Sequence, residues 1–147
     1  MRFRAMTRLI RRTASETRVG VTSSLPTMHS RSKLGAVGED LAQAHYERLG
    51  YTVIARNVRT RSGEIDLIVW HKRVLVFSEV RTRIVGPVDA LESIDSRKVR
   101  QVRRMASAWL ASNHAPRGTV DLRLDAVGVT VDASGALLKL TCLEGAL

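Results

Sequence analysis

The chain has 147 residues, 44% of them hydrophobic, and 24 Lys and Arg against 14 Asp and Glu, for a net charge of +10. This suits one domain with a packed core, and no apolar run approaches the roughly 18 to 20 residues that a membrane span needs, so no membrane partner is expected. The single Cys142 cannot close an intrachain disulfide, and His29, His45, His71 and His114 lack zinc-site spacing; a reducing, cytoplasmic setting is expected and a structural zinc is not.

The excess charge is unevenly spread. Residues 1 to 33 hold eight Lys and Arg against one acid, a balance of +7, while residues 34 to 147 hold sixteen against thirteen, a balance of +3. Residues 1–32 are rich in Arg, Ser and Thr without a sustained apolar face, and are predicted to be a disordered basic N-terminal extension to a folded domain at 33–147. Three readings of the extension stay open: a basic arm on nucleic acid, an organelle transit peptide, or a start upstream of a true initiator at Met6 or Met28.

From Leu34 the spacing predicts a helix with Leu34, Val37, Leu41, Ala44, His45 and Leu49 on one stripe, Ser32 as its cap and Gly50 as its stop. Glu39 falls away from that stripe, on a flank with Gly35, Ala42 and Tyr46, and by pattern alone reads as a solvated glutamate. Tyr51 to Asn57 reads as a strand. Arg56, Arg59 and Arg61 then crowd a connection into Gly63, where arginine forks would match phosphate geometry.

Gly63 to Arg83 reads as a β-hairpin. With its turn centred on Lys72 and Arg73, Trp70 faces Leu75, Ile68 faces Phe77, Asp66 faces Glu79 and Glu64 faces Arg81, and a slip of one residue would send the two acids to opposite faces. Ile84 to Asp95 reads as a loop. A second helix follows, capped by Asp95 or Ser96, with Val99, Val102, Ala106, Trp109 and Leu110 inward and Arg97, Lys98, Arg100, Arg103 and Arg104 on a basic opposite face. Leu122 to Val129 and Leu137 to Leu143, joined by a turn at Asp132 to Gly135, complete the predicted elements, with Cys142 as an ordinary strand residue. The order is α-β-β-β-α-β-β, a mixed β-sheet flanked by helices.

Two carboxylates meeting on a sheet suit Mg²⁺ or Mn²⁺, which take oxygen ligands and leave positions for water and phosphate. On these residues the chain resembles the small bacterial YraN-like family, related to Holliday-junction resolvases and to the restriction-endonuclease-like fold. The resemblance is carried by Gly38-Glu39, Asn57, Gly63-Glu64-Ile65-Asp66-Leu67-Ile68, Phe77-Ser78-Glu79-Val80-Arg81-Thr82-Arg83, Lys98 and Arg123-Leu124-Asp125. It implies a restriction-endonuclease-like sheet, with Asp66 and Glu79 as metal ligands and Glu39 and Arg81 as further catalytic residues. Nucleic acid, in the form of structured or branched DNA, is the implied partner, with Arg59, Arg61, Arg83, Lys98, Arg100 and Arg103 as the contacting cations. A two-fold homodimer would suit a four-way junction. The chain departs from the family where Arg81 replaces a lysine and Ser78 an apolar residue. Arginine stays protonated and cannot act as a base, though it can clamp phosphate.

Overall fold

The computed structural model describes residues 8–12 and 31–147. The elements are β1 (Arg8–Arg12), α1 (Arg31–Arg48), β2 (Thr52–Thr60), β3 (Gly63–His71), β4 (Val74–Ile84), a short 3₁₀ turn (Ala90–Ser93), α2 (Ser96–Ser112), β5 (Asp121–Val131) and β6 (Leu137–Glu144). The strands form one sheet in the order β1-β6-β5-β4-β3-β2. β4 and β5 pair in parallel and every other neighbouring pair is antiparallel. The sheet is therefore mixed, compatible with a nuclease-like fold, and α2 lies in the crossover that a parallel pair requires.

Alternation along the strands fills two cores. Ile68, Leu75, Phe77, Leu122, Leu124 and Ala126 pack with Val102, Met105, Ala106 and Trp109 of α2. Leu67, Val69, Val76, Val127, Val129 and Val131 pack with Ala42 and Tyr46 of α1. The two helices thus cover opposite faces, and the central strands are buried on both sides.

The hairpin register is the one the sequence predicts: His71 pairs with Val74, Trp70 with Leu75 and Ile68 with Phe77. The ladder ends at Leu67 and Ser78, so Asp66 and Glu79 lie one step beyond its last pair.

Four expectations are revised. The strand predicted to stop at Asn57 runs on to Thr60, which places Arg56 and Arg59 within β2 and not in a loop. Ser32 lies inside α1, whose first residue is Arg31, so it does not cap the helix. The buried face of α1 is centred on Gly38, Ala42 and Tyr46, with Leu34, Val37 and Leu41 of the predicted stripe packed at its margin and Leu49 40% exposed, because the sheet receives the flank that carries Gly38 and Ala42. Most of the predicted disordered extension lies outside the described residues, but Arg8–Arg12 within it forms an edge strand, with Arg8 opposite Glu144 and Arg12 opposite Leu140. Polar composition hides such a strand because its hydrogen bonds go to the free edge of β6, more than a hundred residues away.

Gly38 marks the closest approach of α1 to β4: a methyl group there would collide with Oγ1 and Cβ of Thr82. Gly38→Ala should cost about 1–3 kcal/mol through forced displacement of the helix. Gly35→Ala, where a methyl meets nothing within 4 Å, should be neutral or stabilise by up to about 1 kcal/mol from helix propensity. Urea unfolding of the two variants reads the difference in sign.

Candidate functional site

Where the β3–β4 ladder ends, side chains replace backbone pairing. Asp66 Oδ2 accepts the Val80 N–H at 2.7 Å, tying the separating strands together. Burial and the charge of Glu79 push the Asp66 carboxyl up to about 7; Glu39 adds to this, while the Val80 N–H and Lys98 oppose it. The two acids thus lie near enough for their charges to interact, on the side of the hairpin that its register predicts.

Glu79 is only 4% exposed. Its Oε1 takes two cations, Lys98 Nζ from α2 at 2.8 Å and Arg81 Nη2 from its own strand at 3.2 Å. Such a buried carboxylate is tolerable only because it is paired. Lys98 is where the sequence reading placed it in the chain but not on the face assigned to it. It stands four residues before Val102 and seven before Met105, on the core side of α2, with a side chain only 18% exposed. That spacing was the available signal. Arg97, Arg100, Arg103 and Arg104 are exposed as expected.

Glu39 approaches from α1. Its Oε2 accepts Asn57 Nδ2 at 2.8 Å and lies 3.7 Å from Arg56 Nη2, and its side chain is 18% exposed, so it is not the freely solvated residue its pattern suggested. Glu64 is drawn to Arg59 at 3.3 Å, so its ion pair lies along β2 and not with Arg81 across the hairpin.

Beside these residues an open cavity of about 700 Å³ is lined by Arg31, Glu39, Arg81 and Arg83, with Ile84 and Val88 as apolar wall. Glu39 and Arg81 belong to both cavity and acidic site. Arg83 is exposed on the cavity, and Arg59 and Arg61 sit at the β2–β3 turn. That turn is fastened to α2 by Gln101 Nε2 donating to Ser62 O at 2.6 Å, which brings it up against the helix that carries Lys98 and Arg100. Arg103 reaches the carbonyl of Leu147 at 3.4 Å.

A second polar cluster, on the α1 side, was missed as a unit. Arg123 forms a bidentate pair with the wholly buried Asp125, with Nε to Oδ1 at 2.8 Å and Nη2 to Oδ2 at 2.9 Å. Asp125 also accepts the Tyr46 hydroxyl at 3.0 Å and the Gly145 N–H at 3.0 Å. Ser78 Oγ lies 3.2 Å from the Tyr46 hydroxyl, which gives the polar departure at that position a partner. Burial and the negative charge of Asp125 push the Cys142 thiol up to about 12, so it is an inert strand residue. These groups satisfy one another and hold α1, β5 and the C-terminal residues together.

Most of these residues fall within a span that matches a known family. Residues 38–129 match the family described as Uncharacterised protein family UPF0102. The chain belongs to that family. A UPF0102 protein of Corynebacterium efficiens is 41% identical over 116 residues, covering 78% of this chain and 92% of the relative. One from a Mycobacterium species, strain KMS, is 40% identical over 131 residues, covering 86% and 95%. One from Acidothermus cellulolyticus is 40% identical over 112 residues, covering 70% and 85%. The matched span runs from Gly38 to Val129 and includes Glu39, Asn57, Asp66, Glu79, Arg81, Lys98 and Asp125.

Among the described residues no group of three or more His, Cys, Asp or Glu side chains could hold a metal ion. The donor set still fits a hard divalent cation. Asp66 and Glu79 supply two mutually repelling carboxylates, and Mg²⁺ is commonly held by one or two carboxylates with water and phosphate completing its shell. The ion pairs of Lys98 and Arg81 with Glu79 both run to Oε1, at 2.8 and 3.2 Å. Among the described residues no helix is long and apolar enough to cross a membrane.

Proposed function

We propose that this UPF0102 chain is a nucleic-acid-binding, metal-dependent endonuclease-like protein that acts on structured or branched DNA. The supporting observation is the convergence, where the β3–β4 ladder ends, of Asp66 and Glu79 with Lys98 and Arg81, alongside a cavity lined by arginines. Asp66 and Glu79 would hold Mg²⁺ or Mn²⁺, and the bound ion would supply water activation and charge stabilisation at the phosphodiester. The protein's own groups do the rest. Lys98 holds Glu79 in place from the helix side. Arg81 and Arg83, at the cavity, hold backbone phosphate through forked donors. The exposed Arg59, Arg61, Arg100 and Arg103 supply attraction to the polyanion. A two-fold dimer would present two such sites to a four-way junction. A cytoplasmic setting is part of this reading and rests on the lone, buried Cys142.

One observation favours a second reading, a non-catalytic nucleic-acid-binding protein on the same scaffold. Two cations already balance Glu79 without a metal, and one of them, Arg81, stands where the YraN-like pattern has lysine. The readings separate when the protein is incubated with Mg²⁺ or Mn²⁺ and four-way junctions, flaps, single strands and duplexes. Cleavage by the wild type that is lost in Asp66→Ala is the expected result. Salt-sensitive binding without cleavage, unaffected by EDTA, would favour the second reading. Absence of salt-sensitive binding to any DNA or RNA would rule out both.

A further inference from the structure

Asn57 has a left-handed backbone, with φ of 48°, in the interior of a strand. The only other non-glycine residue with positive φ among the described residues is Lys72, in the β3–β4 turn. Asparagine tolerates this region better than most residues, but a strand gives it no local reason to be there. The consequence shows on both strands of the pair. Arg56 bonds Asp40 and Gln43 on α1, whereas Val58, two residues on, packs into the α2-side core. Opposite them, Leu67 belongs to the α1-side core and Ile65 to the α2-side core. In a regular strand, residues two apart share a face, so both strands exchange faces at this point. Arg56 pairs with Leu67 and Val58 with Ile65, which sets Asn57 opposite Asp66 at the centre of the exchange. Asp66, left between the faces, directs its carboxylate to β4, where it accepts the Val80 N–H.

The Asn57 side chain acts on the other acids. Its Nδ2 donates to Glu39 Oε2 at 2.8 Å and lies 3.4 Å from Glu64 Oε1. Glu39 is close enough for its charge to act on Asp66. One residue thus joins α1, β2 and β3 around the carboxylates, through its backbone and its amide together.

We propose that Asn57 is the positioning residue of this site: its backbone aims Asp66 at β4, and its amide fixes Glu39 as an outer acid beside Asp66 and Glu79, the two carboxylates that would hold the metal. The assignment rests on the metal-site reading above. Glu39 need not touch the ion. Outer partners of this kind typically change metal affinity by about 10- to 100-fold.

The test is Mn²⁺ titration of the full chain, followed by calorimetry and by thermal melting. Asn57→Gly keeps the left-handed backbone without steric penalty and removes only the amide. It should melt within about 2 °C of wild type without metal and bind Mn²⁺ at least about tenfold more weakly. Asn57→Ala, which must also bear the strained backbone, should lose several degrees of melting temperature as well. Glu39→Gln should weaken Mn²⁺ to the same extent, and Asn57→Gly/Glu39→Gln should be no weaker than either single variant, since the two act through one contact. Wild-type Mn²⁺ affinity in Asn57→Gly, or full additivity with Glu39→Gln, overturns the assignment. If Asn57→Gly does not fold, Glu39→Gln alone decides, and unchanged affinity in it is equally fatal. A wild type that binds no Mn²⁺ and matches Asp66→Ala removes the metal-site reading and this assignment with it. A wild type that binds where Asp66→Ala does not, beside an Asn57→Gly that binds normally, removes this assignment alone.

Discussion

Between pH 4 and pH 7 the metal-free protein should lose stability steadily as Asp66 ionises. The Asp66 carboxyl is raised from 3.8 to about 7 in the folded state. Over that interval the native chain binds more protons than the unfolded chain, so unfolding free energy falls with rising pH and levels off above the folded value. A shift of this size corresponds to roughly 4 kcal/mol. Asp66→Asn keeps an oxygen for the Val80 N–H but cannot ionise, so the difference between wild type and variant isolates this group from the other acids. That difference should widen from pH 4 to pH 7 in favour of the variant. Mn²⁺ at pH 8 should reverse the loss in the wild type, by about 2.7 kcal/mol at a hundredfold excess over its dissociation constant, and should leave Asp66→Asn unchanged. Urea unfolding across pH, with and without Mn²⁺, measures both. Parallel pH profiles for the two proteins would refute the raised Asp66 carboxyl that burial and the charge of Glu79 produce.

Removing the lysine from the other acid should be almost as costly. Lys98 Nζ lies 2.8 Å from Glu79 Oε1, and Glu79 is 4% exposed. Lys98→Met fills the same path along α2 but leaves the carboxylate to Arg81, whose contact is longer at 3.2 Å and whose side chain is 37% exposed. Breaking a buried pair from one side typically costs about 3–5 kcal/mol, and the remaining arginine should hold the loss to the lower end. Lys98→Met/Glu79→Gln should recover most of the stability, because no buried charge then lacks a partner. A loss below about 0.5 kcal/mol in Lys98→Met would place this pair with the weak surface ion pairs and remove Lys98 from the site.

Much of the site was legible in local sequence because β-hairpin geometry is local. Once Lys72 and Arg73 are taken as the turn, Trp70 must face Leu75 and Asp66 must lie toward Glu79, and the ladder has this register. Asp95, four residues before Val99, caps α2 as its sequence position suggests, its side chain accepting the Lys98 N–H at 2.8 Å. The less legible features are those decided by what packs from elsewhere. Leu34, Val37 and Leu41 of the predicted stripe do pack against the sheet core, yet the most buried line of α1 is turned toward Gly38, because only a residue without a side chain allows contact with Thr82. That rotation brings Glu39 to Asn57. Lys98 was grouped with its arginine neighbours by charge, although its spacing from Val102 and Met105 put it on the inner face.

The sequence by itself determined the order of the helices and strands from α1 to β6, the hairpin register, the two acids it places near one another and the membership that residues 38–129 carry. These depend on chain-local periodicity, turn position and residue identity. Only the tertiary structure decided that Lys98 and Arg81 share one oxygen of Glu79, that Asn57 holds Glu39, that Arg123 and Asp125 close a buried pair against Tyr46, and that Arg8–Arg12 completes the sheet beside β6. Apart from the Arg123–Asp125 contact itself, each joins segments far apart in the chain or chooses among several partners of like charge. Electrostatic and hydrogen-bond energies at a few ångströms make those choices, and sequence spacing does not encode them.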